Sequence, residues 1–402
     1  MSDRVHRFSE EISQRPPSDW LRAAFLVSAL SGAVGRNGYY LAAAWILAAR
    51  GFGSVGVAAF LVVASVAEVA SSPIAGIMTD RFDRRRLNAA AEFARSVIVF
   101  ATGLAMLHLD PLFTLCVSAA LFSACDRVAL TANQAMIPAT GSGRDPVTWN
   151  AIVVLTMQVG NLLAALCAGF LLGWHSPAGP FAVFGACFLL SGGLLLPLRI
   201  PPALRDSGVA ATTACRIRSG FPHLIAVYAL FYAGALLVSV LASTYVFAER
   251  KGSAADFGRL EAAWSAGSLL GATALIAIQA WMHPEARHVL LLGAAALLFM
   301  SFPFLEAVWA TAVFAALGFL YNLGRVSVEV TFQSRVAAGS LGRAKGAMHA
   351  VAVLLSLIVF GIVAAVGDRA SPSTIFLCFG GVLLIAMFAL AALGRPQQKG
   401  TF

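Results

Sequence analysis

Twelve predominantly apolar runs, each near or above the roughly 20 residues that a helix needs to cross the hydrocarbon of a bilayer, divide this chain of 402 residues from end to end. They lie at 22–48, 54–78, 88–108, 111–138, 148–173, 177–199, 221–247, 257–280, 287–304, 307–334, 345–367 and 373–394. A chain that is 59% hydrophobic and only 12% charged does not read as a soluble domain of this size. The expected fold is therefore an all-α membrane protein of twelve transmembrane helices. Several runs exceed one straight crossing and predict tilt or extension beyond the lipid.

The formal charge of +9 suggests nucleic acid only if the basic residues form a stripe facing water. They do not; most fall in short gaps between apolar runs, and no nucleic-acid partner is expected. Nineteen Lys and Arg residues collect on one side, among them Arg22, Arg81, Arg84, Arg85, Arg86, Arg144, Arg205, Arg216, Arg287, Arg343 and Lys345. The other side has Arg50, Arg250, Lys251 and Arg369. The positive-inside rule places both termini and the central break in the cytoplasm. Trp20, Trp149 and Trp281 then fall near the inner boundary and Trp174 and Trp309 near the outer one, as interfacial anchors. No cleaved signal is expected in the polar N-terminus. The six cysteines have neither metal nor disulfide spacing and are expected to be packing residues.

The longest polar break, 201–220, separates six spans from six. The expected organisation is a tail at 1–21, a first half at 22–200, a central loop at 201–220, a second half at 221–394 and a tail at 395–402. One internal match accords with repeated halves. Asp126-Arg127-Val128-Ala129 in segment four resembles Gly324-Arg325-Val326-Ser327 in segment ten, and Gly143-Arg144 and Gly342-Arg343 follow at nearly the same interval.

Between segments two and three lies Gly76-Ile-Met-Thr-Asp80-Arg81-Phe-Asp83-Arg84-Arg85-Arg86, a short turn with four arginines and two aspartates. It resembles the Gly-x-x-x-Asp-Arg-x-Gly-Arg-Arg loop of the major facilitator superfamily, with Asp83 in place of a glycine. In form it is similar to the macrolide-efflux and siderophore-exporter branch. The resemblance implies two pseudo-symmetric six-helix bundles, with spans one, four, seven and ten lining a central cavity. It also implies a conformational latch made by Gly76, Asp80, Arg81, Arg84 and Arg85. Gly76 would let helices approach, and Asp80 would face the start of span eleven near 342–346. The arginines would bind carboxylates or lipid phosphates. A span-five exporter motif is half present as Gly160-Asn-Leu-Leu-Ala164-Ala165-Leu-Cys-Ala168-Gly169, where Ala165 replaces a proline. Its small residues are expected to meet Gly267, Gly271 and Ala272 of span eight.

Ionisable residues at membrane depth are costly, and each is a functional hypothesis. Arg36, Glu68, Asp126, Arg127, Arg325 and Glu329 are the candidates for substrate binding or proton coupling. Asp126 and Arg127 are adjacent, point about 100° apart on a helix, and so need partners elsewhere. Arg127, Thr131 and Gln134 share a face; with Tyr39, Tyr40 and Tyr321 they are expected to line the cavity, while segment seven offers Tyr228, Tyr232 and Ser239. Three readings stay open: buried ion pairs joining helices (Arg36 with Asp126 or Glu68, Arg325 with Glu329); a carboxylate, Glu68 or Asp126, that releases a proton as substrate binds its arginine partner; or direct recognition of an anionic or zwitterionic substrate. Glu92 and Arg95 are expected to form a local pair near the cytoplasmic end of segment three. Arg259 and Glu261, at the outer end of segment eight, are expected to reach water.

The functional expectation is a secondary active transporter of the bacterial inner membrane. It would export a small drug- or siderophore-like molecule by alternating access and antiport of protons, as a monomer in contact with membrane lipid. An importer or uniporter, a lysolipid flippase, and a non-transporting membrane sensor are the alternatives. Tails of about 20 and 8 residues leave little room for a sensor's output domain. No nucleotide-binding loop, metal spacing or catalytic triad occurs, so no cofactor, metal or enzymatic activity is expected.

Overall fold

The structure is a computed structural model and describes residues 19–174, 176–198, 221–278, 284–335 and 341–393. Among these residues there are twelve α-helices and no strand: α1 (Asp19–Ala49), α2 (Gly53–Arg81), α3 (Arg84–Ala105), α4 (Pro111–Thr140), α5 (Pro146–Leu171), α6 (Ala178–Leu195), α7 (Phe221–Thr244), α8 (Ala254–Ile278), α9 (Pro284–Ser301), α10 (Ala307–Arg335), α11 (Leu341–Val366) and α12 (Pro372–Leu393). A π-helical turn, Tyr245–Glu249, extends α7. Ten of the helices are long and apolar enough to cross a membrane by length and composition. The twelve expected spans are thus twelve helices. At 31 and 30 residues, α1 and α4 are about 45 Å long, well beyond the hydrocarbon thickness. The tail before Asp19, the central break at 201–220, Cys215, Trp281 and the tail from 395 lie outside the described residues, as does the side chain of Arg343.

Helix starts follow from side chains that accept the first orphan amides. Asp83 accepts from Arg86 N at 2.8 Å and begins α3. Asp110 does the same for Phe113 N before Pro111 in α4, and Asp145 for Thr148 N in α5. Asp83, the departure from the superfamily loop pattern, therefore has a local reason: it is the N-cap.

The chain forms two compact units by contact. The first holds α1 up to Tyr40, α2 from Val63, α3, α4, α5 up to Ala164, and α6. In it α3 packs on α4 and α6, and one end is filled by Phe25, Met136, Trp149, Leu195 and Leu198. Trp149, expected at the bilayer boundary, is only 2% exposed and donates to Thr140 Oγ1; it is a core residue because Gly141 leaves room for its ring.

The second unit holds α7 to α12 together with Leu41–Val62 and Ala165–Gly173, the ends of α1, α2 and α5 around the turns that follow or precede them. Here α8 lies along α10, α9 along α12, and α7 against α11 and α10. A Cβ on Gly267 or Gly271 would strike the backbone of Ala315 or Phe319 in α10, and one on Gly318 the backbone of Trp264. Small residues thus let these two helices approach to backbone contact. On α8, Gly267 and Gly271 turn their small faces to α10. Gly160 instead lies against Leu30 and Ala33 of α1, and Gly169 against Gly258 of α8.

Large apolar side chains stand out of both units, such as Val97 and Phe113 of the first, at 66 and 65% exposure, and Val308 and Ile385 of the second, at 79 and 72%. That pattern suits a surface wetted by lipid rather than water.

Candidate functional site

Polar side chains of the first unit converge on Asp126. This carboxylate is 2% exposed, in the middle of α4. Arg36 of α1 donates to its Oδ2 through Nε at 2.8 Å. Arg95 of α3 donates to its Oδ1 through Nη1, and pairs with Glu92 one turn earlier on the same helix. The Arg95 guanidinium also lies over the Phe188 ring of α6, 4.5 Å from its centroid. Two cations and two anions balance, which is the condition for keeping such groups out of water. Gly32 makes room on α1: a Cβ there would come 3.2 Å from Glu92 Oε1.

The two ends of this network differ. Glu92, Arg95 and Asp126 are all 5% exposed or less. The Arg36 side chain is 36% exposed, and among the described residues only its Nε is engaged. Arg36 also lines a small cavity, together with Ser28, Glu92, Arg95 and Asn133. Glu92 Oε2 and Arg95 Nε, both buried, have no hydrogen-bond partner among the described residues. A guanidinium held by one edge and open at its fork is ready to take a second carboxylate or a phosphate.

Arg127 turns away from Asp126, as adjacent helical positions must, and meets Glu68 of α2 at 3.5 Å. Both side chains are about one-third exposed, 32 and 29%. Thr131 donates to the Arg127 carbonyl and is half-buried, while Gln134, a turn further, is exposed. Of the two aromatic residues of α1 expected to line the site, Tyr40 is half-buried near Arg36, with its hydroxyl at Ser123. Tyr39 does not line it. Its side chain is fully buried, stacked on Phe122 and bonded to Ser118.

In the second unit Arg325 bonds Glu329 at 2.9 Å, one turn along α10, and Asn322 Oδ1 at 3.0 Å. Asn322 anchors this group by donating to the Ser268 carbonyl of α8. Tyr321 stacks on Trp264. On α7, Tyr228 stacks on Tyr232, whose ring meets His349 of α11 edge-on, while Ser239 is bonded to its own helix.

In the loop between α2 and α3 two arginines hydrogen-bond backbone carbonyls rather than carboxylates. Arg84 donates to the Ala135 carbonyl of α4, and Arg85 to the carbonyls of Leu196 and Leu198. The C-terminal carbonyls of α6 are the acceptors a cation there satisfies. Gly76 admits no neighbour: a Cβ would meet nothing within 4 Å. Asp80 and Arg81 are exposed and without a hydrogen bond or ion pair among the described residues.

Sequence reasoning missed two residues. Arg95 forms its local pair with Glu92 but also bridges to Asp126, so it belongs to the centre of the network rather than to a helix end. The signal was present: Asn88, Glu92, Arg95, Ser96 and Thr102 recur at helical spacing on one face of α3, and all are buried. Glu261, expected to reach water, is 9% exposed.

The profile of the Major Facilitator Superfamily matches residues 24–351. The chain belongs to that superfamily. This facilitator is a multi-pass membrane transporter and not an enzyme. Its fold is similar to that of a mutant of the nucleoside transporter NupG, with a TM-score of 0.77 at 12% identity over 93% of this chain and 100% of that one. It is similar also to a bacterial homologue of the human lysosomal transporter Spinster in an inward-facing, unoccupied conformation, with a TM-score of 0.70 at 14% identity over 93 and 96%. A bacterial homologue of the iron transporter ferroportin, inward-facing, gives 0.70 at 15% over 92 and 98%. A search of curated protein sequences returned no match.

Proposed function

We propose that this facilitator exports a small organic zwitterion or amine in exchange for protons, using Arg36, Glu68, Asp126 and Arg127 as its first-half site and Arg325 and Glu329 as its second. The observation that carries this is the Arg36 guanidinium, bonded to Asp126 by Nε with no hydrogen bond at its Nη fork among the described residues.

The sign of the coupling narrows the substrate. An anion that takes Arg36 from Asp126 leaves that carboxylate short of positive charge, so such a substrate and a proton would bind together rather than compete. Antiport needs the opposite: the substrate must compete with the proton. A substrate ammonium meeting Glu68 does this, because Glu68 is part-exposed and held by one long contact to Arg127. Recognition of a zwitterion then places its anionic group at the Arg36 fork and its ammonium at Glu68. A purely anionic substrate would instead travel with protons, in the direction of import.

The orientation proposed from the Lys and Arg distribution puts both termini in the cytoplasm of a bacterium and the 41–62 and 165–173 segments at the outer surface. Asp80, without a hydrogen bond or ion pair among the described residues, and Gly76 are proposed to form a latch that engages in one state of the cycle. The monomer, bathed in lipid, is the transporting unit.

Proteoliposomes with a lumenal pH indicator test the reading. Wild type, Glu68→Gln and Asp126→Asn are challenged with macrolides, siderophores and lysolipids. Substrate-dependent proton flux that is lost in Glu68→Gln supports antiport at that carboxylate. Substrate movement without proton flux in all three proteins overturns it in favour of a uniporter or flippase.

A further inference from the structure

Glu261 is a buried acid with no compensating group. It lies on α8, is 9% exposed, and makes no hydrogen bond or ion pair among the described residues. Among the described residues no Lys or Arg forms an ion pair with it. The charged and titratable groups of the surrounding elements are engaged elsewhere or turned to the surface. On α8 itself, Asp256 and Arg259 bond each other and are exposed. On α10, Arg325 and Glu329 are paired, Tyr321 is stacked on Trp264, and Glu306 before the helix is exposed. After α7, Arg250 bonds the Tyr245 hydroxyl, Glu249 accepts from Ser373 N, and Lys251 is exposed. The segment 41–49 of α1 has no titratable residue and ends at exposed Arg50; 53–62 of α2 has none; 165–173 of α5 has only the exposed Cys167.

The position of Glu261 on the helix gives this isolation a meaning. Phe257 and Ser265 lie four residues to either side, and Gly258 three before, so all share its face. Phe257 stacks on Trp45 of α1, with ring centroids 5.4 Å apart, and Gly258 lies against Gly169 of α5 at backbone contact. Glu261 therefore sits one turn beneath the seam where the ends of α1 and α5 close on α8. While the seam is shut, a carboxylate there has little contact with solvent and, among the described residues, no cation beside it, an environment that does not compensate its charge. A glutamine or leucine would pack there at no such cost, so the acid is a functional feature.

We propose that Glu261 is a proton-binding site that couples protonation to this seam: it holds a proton while Trp45 and Gly169 lie against Phe257 and Gly258, and releases it to water when they part. The closed state binds more protons, so raising the pH drives the seam open. On the orientation proposed above the seam faces outward, and opening it discharges or loads protons on the outer side. The inference shares with the export reading only the premise of alternating access.

Two measurements on the full-length protein in lipid vesicles, without substrate, decide it. Infrared difference spectra between acidic and alkaline pH should show a carboxylic C=O band that disappears on alkalinisation, is missing in Glu261→Gln and is retained, shifted, in Glu261→Asp. Nitroxides at Arg50→Cys and Lys251→Cys, in a background with the native cysteines replaced, report the seam by pulsed dipolar spectroscopy. A longer-distance population should grow with pH in wild type and in Glu261→Asp, and stay at its low-pH size in Glu261→Gln. If the band survives in Glu261→Gln, or if the distances ignore pH in wild type, or respond to it equally in Glu261→Gln, the proposal is wrong. Neither measurement depends on proton flux with any substrate, so the export reading can fail while this one stands, and the reverse.

Discussion

Arg95 reaches Asp126 across the α3–α4 interface with both side chains only 3% exposed. Removing one member of such a pair leaves the other charge buried and uncompensated, which costs about 3–5 kcal/mol. Arg95→Met and Asp126→Leu should each lower the Tm in detergent sharply, whereas the double variant should recover part of the loss, because Glu92 still lacks the cation it shares with the pair. A double variant no more stable than the worse single one would show that the pair is not the main term.

Arg36 holds the same carboxylate from the other side but is part-exposed. Its loss leaves Asp126 still bonded to Arg95, so Arg36→Ala should cost only about 1 kcal/mol of stability. Its effect on transport should be larger, about tenfold or more. Arg36→Lys should fail to rescue transport, because one ammonium cannot keep Asp126 on Nε and present a planar fork to a ligand. Thermal unfolding beside substrate flux in proteoliposomes separates the two effects, and rescue by lysine would reduce the role of Arg36 to charge alone.

Most of the fold was legible because length and apolarity alone decide what can span a bilayer, and the twelve segments became α1 to α12 with ends moved by a few residues. The site was legible only in part. That Asp126 and Arg127 need separate partners follows from helical geometry, and the structure supplies them on α1, α3 and α2. Which partner each would take was open, because sequence says nothing of rotation about a helix axis. The same gap explains Trp149, Tyr39 and Glu261, where position along the chain was read as depth while the direction of the side chain decided burial. The internal match between Arg127 and Arg325 also hid a difference. Arg127 pairs across helices with Glu68, whereas Arg325 pairs within its own helix with Glu329.

Two glycines should respond oppositely to alanine. At Gly267 a Cβ would penetrate the Ala315 backbone of α10, so Gly267→Ala must push the helices apart and should destabilise by about 1–3 kcal/mol. At Gly76 a Cβ meets open space, and Gly76→Ala should gain up to about 1 kcal/mol from helix propensity. If Gly76 instead serves a contact in another state of the cycle, as proposed, the same variant should slow transport while raising Tm. Stability and flux measured on one preparation distinguish a silent position from a latch.

Asp256 begins α8 with a reciprocal cap. Its carboxylate accepts from Ser253 N and Ser253 Oγ, both at 2.7 Å, and Ser253 Oγ in turn accepts from Asp256 N. These bonds, the Ser253 amide first, hold its carboxyl below the ordinary value of 3.8. A carboxyl with a lowered folded-state value contributes stability that is complete above the unfolded value and is lost as pH falls through the folded one. The α7–α8 turn should therefore loosen only below about pH 4. Its side chain is 38% exposed, so solvent screening limits the contribution to about 0.5 kcal/mol. Amide exchange at 253–257 should quicken roughly twofold in Asp256→Asn at neutral pH. The wild type should approach the variant's rate, after correction for intrinsic exchange, only in acid. Equal protection in both proteins at neutral pH would show that Ser253 alone starts the helix, and that the seam above Glu261 is supported from elsewhere.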